Sequence, residues 1–290
     1  MRVATLSELR RFPVKSMGGE LLDEVELGAA GIPGDRAWAV RDEVRGGIRG
    51  AKKIPALMGL RARYTKPPAG GGSSPAEIIL PDGSTLGTGD ADAGERLSAA
   101  LGHAVSLWPL LPADALDHYR RGAPSHDDLE RELRAIFGRA GDEPLPDLGL
   151  FPPELLEFES PPGTYFDAFP MMLLSDASLR SMQERAPGSR FDVRRFRPNL
   201  VVSEVRTGED FPEQAWRGRR LRIGGAVLRV TVECPRCVMV THGFDDLPRD
   251  PGVMRALVRE AGGNLGVYAQ VETPGRVRVG DAVELLEETA

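Results

Sequence analysis

Short apolar runs of strand length, separated by glycine and proline turns, dominate this chain. In the first part, residues 2–9, 21–27, 37–40 and 104–110 are expected strands, and 77–80 with 85–86 are expected to form a hairpin across Pro81-Asp82-Gly83-Ser84. Further on, residues 171–174, 200–202, 221–232, 267–271, 277–279 and 282–286 read as strands, with 221–232 interrupted at Gly224-Gly225. Helical spacing is confined to a few segments. One covers 92–101 and stops at Gly102, one covers 127–140, one follows Ser175 as N-cap, and one runs from Asp250-Pro251 to Glu260 before Gly262-Gly263. Many short strands with few helices predict a mainly β fold with peripheral helices, α+β in class and barrel-like in each half.

Residues 111–163 break this pattern, being rich in Pro, Asp and Glu, and read as a connection between two β-rich units. The expected division is 1–115, a helical or irregular connection over 116–155, and 156–290. Gly70 to Pro75 reads as a flexible loop.

Composition narrows the function classes. At 290 residues the chain has room for two modest domains. A net charge of −6, with acids accompanying the arginines, gives no electrostatic case for nucleic acid. The first residues lack the apolar core of a secretory signal, and no run approaches the roughly 20 apolar residues of a membrane span. With two cysteines and no export signal, a cytoplasmic location without membrane attachment is expected.

Both cysteines fall in Cys234-Pro235-Arg236-Cys237. Four readings compete. A redox pair wants a helix after the motif, whereas Val238-Met239-Val240-Thr241 is expected to continue as strand. A zinc site would need His242 and Asp245 or Asp246 to complete it. The two cysteines can equally be small apolar packing residues, or one can be a thiolate ligand to a metal cofactor. Anion-binding candidates lie elsewhere: Lys15 and Ser16 after the first strand, Arg36 before another, and Arg197 and Asn199 in the densest basic cluster. Asp167, in Gly163-Thr164-Tyr165-Phe166-Asp167-Ala168-Phe169-Pro170, reads on spacing alone as a structural residue.

Taken in order, Phe12-Pro13-Val14-Lys15-Ser16, Gly34-Asp35-Arg36, Phe166-Asp167-Ala168-Phe169-Pro170, Leu174-Ser175-Asp176-Ala177-Ser178-Leu179, Phe196-Arg197-Pro198-Asn199, the cysteine motif, Leu265-Gly266-Val267-Tyr268 and Val279-Gly280-Asp281 resemble the MOSC-domain family with its N-terminal β-barrel domain. The resemblance covers nearly the whole chain. It implies an N-terminal barrel domain, a C-terminal MOSC barrel and a molybdenum cofactor, Mo-molybdopterin. It also implies that Cys237 is the metal ligand, that Asp167 lines the metal pocket and assists proton delivery, and that Lys15, Ser16, Arg36, Arg197, Asn199 and Arg236 bind the cofactor. The implied activity is reduction of N-hydroxylated or N-oxide substrates by an oxidoreductase fed by a separate flavin, haem or iron–sulfur protein. Sulfur transfer through a cysteine persulfide is the alternative, and a cofactor carrier without turnover a third. The chain departs from the amidoxime-reducing pattern at Ala168, Phe169 and Pro235, where hydroxyl side chains occur in those relatives.

Overall fold

In the strand Ala226–Pro235 every second side chain is buried, from Ala226 through Leu228, Val230 and Val232 to Cys234. A strand with one buried face needs neighbours that curve around a common core. It pairs antiparallel with Arg220–Ile223 on one side and Asn264–Thr273 on the other. The computed structural model describes residues 1–69, 71–205 and 210–287, so Gly70 of the expected glycine-rich loop lies outside the described residues. From Asn264–Thr273 the sheet continues to Met171–Ser175 and Leu200–Ser203. From Arg220–Ile223 it continues to Ala282–Leu285 and Arg2–Arg11, which pairs back onto Leu200–Ser203. Seven strands thus close into a barrel, which leaves no unpaired edge. Leu6, Leu9, Leu173, Leu200, Leu221, Leu228 and Val267 fill it. The expected mainly β architecture with peripheral helices is what the chain adopts.

The run Met171–Ser175 is buried on both faces. Met171 and Leu173 point into the barrel, while Met172 and Leu174 lie under the helices Asp176–Arg185 and Pro251–Ala261. This strand makes the barrel's parallel pair, with Leu200–Ser203, and the helix Asp176–Arg185 is the crossover between them. Its cap is the expected one: Ser175 accepts from the Ser178 N–H at 3.0 Å.

Six further strands of the first part form two three-stranded sheets. Trp38–Asp42 lies between Ile48–Arg49 and Val105–Pro109, and Glu77–Ile79 lies between Arg61–Arg63 and Thr85–Gly87. Val14, Met17, Val40, Leu57, Leu60, Ile78 and Leu97 form their core.

Four local expectations change. Residues 221–232 are not one interrupted strand, because Gly224, with φ of +54°, reverses the chain into a hairpin. Residues 21–27 split into Glu20–Leu22, paired with the first strand, and Glu24–Leu27, paired with Gly275–Arg278. The helix expected over 127–140 is shorter, Leu129–Phe137, because Asp128 caps its start and left-handed Gly138 ends it. Val238–Thr241 does not continue as strand. The ladder stops at Pro235, and a 3-10 turn follows in which Cys237 O accepts from the Val240 N–H at 3.3 Å.

Gly266 interrupts the alternation of Asn264–Thr273 beside the parallel pair. Its φ is +77°, and a Cβ there would lie 2.7 Å from Leu173 O and 2.4 Å from Met172 Cε. Gly266→Ala is therefore expected to destabilise the protein by about 1–3 kcal/mol, lowering Tm by about 2–6 °C. A thermal melt by circular dichroism checks it; an unchanged Tm would show that the strand relaxes around the methyl group.

Candidate cofactor-binding site

The barrel and the first-part core meet at a seam, and the cysteine loop lies in it. Cys234 is buried in the helix-covered cluster with Met172 and Phe196, whereas Cys237 and Met239 pack against the first-part core. The two cysteines therefore pack against different clusters, and this difference carries the case against a redox pair, since the strand expected after the motif is a 3-10 turn. In the same seam a cleft is lined by Lys15, Ser16, Arg36, Asp167, Arg197 and Arg236, with both cysteines, Phe169 and Tyr268.

Three of the five non-glycine residues with positive φ among those described line this cavity: Ser16 at 69°, Arg36 at 49° and Arg197 at 57°. A left-handed conformation costs a side-chain-bearing residue roughly 1 kcal/mol, so the surrounding structure must impose it. Arg36 N–H is held by Phe12 O at 2.6 Å, and Arg197 ends the short helix Val193–Phe196. Both guanidiniums stack on the Phe12 ring, with centroid distances of 5.2 Å and 4.2 Å.

Positive charge is in excess here. Lys15, Lys52, Arg36, Arg197 and Arg236 gather around the cavity, with the carboxylates of Asp35 and Asp167 among them. Arg197 donates through Nη1 to Met17 O, but its Nη2 is buried without a partner. Burial, reinforced by the Arg36 charge, pushes this guanidinium down to about 9. Arg236 donates to Cys234 Sγ at 2.8 Å and to Phe196 O at 2.6 Å, leaving Nε buried and unpaired. Burial pushes the Cys234 thiol up even so.

Asp167 receives Lys15 at 3.1 Å and Lys52 at 3.0 Å on one oxygen. Burial alone would raise this carboxyl; the two lysine charges outweigh it and hold it well below the usual carboxylate range. Lys15 is itself lowered, by burial first, whereas Lys52 is raised because Asp167, Glu159 and Cys237 outweigh its burial. Asp167 keeps 42% of its side chain exposed, so solvent screening discounts the pair, but Lys15 is 5% exposed. Asp167→Asn would leave that ammonium with neutral acceptors only and is expected to cost about 1–3 kcal/mol at pH 7. Since the folded carboxyl is depressed, its contribution is complete above roughly pH 4 and fades as pH falls through the lower folded value. Urea melts of both proteins at pH 7 and in stronger acid check this; equal stability at pH 7 would refute it.

The expected residues converge, but they do not all present free groups. Lys15 spends its donors on Ser160, the Tyr165 carbonyl and Asp167. Ser16 Oγ accepts from Ala51 N–H at 2.9 Å and so retains its own O–H for donation. Asn199 lies at the cavity wall, with its amide bonded to Met172 N, Arg10 O and Asp35. The zinc ligands do not assemble: His242 bonds Ala51 O, Asp245 pairs with Arg61, and Asp246 pairs with Arg190 and Arg194. Lys52 was missed from sequence. The available signal was rarity, since lysine is scarce in this arginine-rich chain and two of the lysines meet at one aspartate.

Residues 161–284 match the MOSC domain, and residues 3–75 match the MOSC N-terminal beta barrel domain. The chain is 26% identical over 320 aligned residues to mitochondrial amidoxime-reducing component 1 of Mus musculus, covering 98% of this chain and 83% of that one. The Homo sapiens counterpart is 25% identical, with 98% and 84% covered. Mitochondrial amidoxime reducing component 2 of Rattus norvegicus is 33% identical over 41% of this chain and 37% of its own.

Proposed function

This chain belongs to the MOSC family and carries that family's N-terminal beta barrel domain, and from that premise we propose that it is a molybdenum-cofactor-dependent reductase of N-oxygenated compounds. The observation that carries the reading is the cavity in which three strained residues, two unpaired guanidinium nitrogens and the Cys237 sulfur converge.

The donor set fits the cofactor. A pterin bearing a phosphate is anionic, and Arg36, Arg197 and Arg236 offer charged donors to it, two of them with a nitrogen that lacks any other acceptor. Ser16 adds a hydroxyl, and Lys15 adds charge through its place beside Asp167. Cys237 would be the protein thiolate, the soft ligand of this cavity. When bound, the cofactor supplies two-electron redox chemistry at molybdenum. In the net reaction the substrate's N–O bond breaks, two electrons and two protons enter, and the oxygen leaves as water. Those electrons come from a separate flavin, haem or iron–sulfur protein.

The chain's own work is to bind and to handle protons. Asp167 is held ionised and is therefore a weak base, so its part in proton delivery is to fix the Lys15 and Lys52 ammoniums, which carry donatable protons, at the cavity edge. Lys15 and Lys52 keep it oriented at the cavity edge.

The test is metal and pterin content of freshly purified protein, followed by reduction of benzamidoxime with a viologen donor. Molybdenum and pterin in near-equal amounts, with amidine formed, are expected. A persulfide by mass spectrometry with no pterin would sink this reading and favour sulfur transfer. Among the described residues no helix is long and apolar enough to cross a membrane.

A further inference from the structure

The cavity lining also includes an aromatic pair. Phe169 and Tyr268 form it, with ring centroids 5.4 Å apart. Behind them stands Phe151, 6.3 Å from Phe169 and 6.4 Å edge-on to Tyr268. Phe169 follows directly from the Asp167 segment, and Tyr268 belongs to the barrel strand Asn264–Thr273. Phe151 comes from the connection, just past the turn Leu148–Leu150.

Tyr268 packs against the helix-covered cluster that contains Cys234, whose sulfur receives Arg236. The first cysteine of the motif thus belongs to the packing behind one ring of the aromatic side. Phe151 is held differently. No residue of 148–156 belongs to a buried hydrophobic cluster among the described residues, and its neighbours Leu150 and Leu156 are exposed. Arg121 holds the stretch through Leu155 O, and the ring contacts of Phe151 set it against the aromatic residues of the cavity. A phenylalanine that serves only packing would be expected to sit in such a cluster.

We propose that Phe151 is a positioning residue for substrate specificity: from behind the cavity lining it braces Phe169 and Tyr268 as an aromatic wall for the planar apolar body of the substrate. The inference deepens the reductase reading and rests on it for the substrate's N–O group. Offset and edge-to-face ring contacts add to area burial for a flat ligand and do little for a small aliphatic one. A residue of the connection then selects among substrates without touching the reacting atoms.

The experiment compares benzamidoxime with acetamidoxime on the cofactor-loaded protein, measuring dissociation constants by saturation-transfer NMR without an electron donor, so that neither is consumed. Phe151→Ala is expected to weaken benzamidoxime about 5-fold or more and to leave acetamidoxime unchanged, with KM rising in parallel and kcat nearly constant once donor is added. Phe151→Leu, which keeps apolar contact, should fall between the two, and melts confirm that both variants fold. Equal weakening of both ligands, no weakening of either, or no binding of benzamidoxime to the parent protein would each overturn the wall. Phe151-dependent binding without reduction, when donor is supplied, would leave the wall standing and remove the reductase reading.

Discussion

Replacing Cys237 with alanine is expected to lower reduction of N-oxygenated compounds by at least roughly 100-fold, since loss of even an outer-shell partner costs a metal site 10- to 100-fold. X-ray absorption at the molybdenum edge should show one sulfur fewer, while pterin content stays near that of the parent. The separation follows from the layout of the cavity. Arg36 and Arg197 are positioned by the segments after residues 34 and 196, independently of the cysteine loop. Both cysteines line the cavity, but Cys237 is half-buried whereas Cys234 is 2% exposed and bonded to Arg236. Cys234→Ala should therefore keep the metal's sulfur count and act through Arg236 and Tyr268. If Cys234→Ala removed the sulfur and Cys237→Ala did not, the ligand assignment would be reversed.

The parts of this molecule that could be read from its sequence are those whose signals are local. Ser175 and Asp250 were legible as N-caps, and Gly102 and Gly262 as helix stops, because a cap bonds within three residues. Barrel closure was not legible. Ser7 and Val201 are joined across 194 residues, and nothing in either strand's composition names its partner. The cofactor side was carried by short motifs in a fixed order, each setting a residue at a strand or helix end. Asp167 shows the limit of that signal: its spacing suggests a turn residue, and only the fold brings Lys15 and Lys52 onto it. Phe151 lay in a proline-rich connection without periodicity, so its role depends on a placement that no local pattern encodes.

Arg197→Met is expected to act in opposite directions on the cofactor-free and cofactor-loaded protein. Methionine keeps the length and the apolar contact with Phe12 but removes a charge that burial and Arg36 both disfavour. The left-handed backbone strain is present in either variant, so it cancels from the comparison. Removing an under-compensated buried ion and its unpaired Nη2 should stabilise the cofactor-free protein by about 1–3 kcal/mol. The same change deletes a charge-assisted donor to the pterin phosphate, which is worth roughly 1.5–3 kcal/mol, or about 10- to 100-fold in retention. Thermal melts of protein made without cofactor synthesis, paired with pterin released from protein made with it, read the two effects separately. Loss of both stability and pterin would mean that Arg197 is a structural cation whose bond to Met17 outweighs its burial. A gain in stability with loss of pterin would mean that the fold carries this charge for its ligand, at the expense of its own stability.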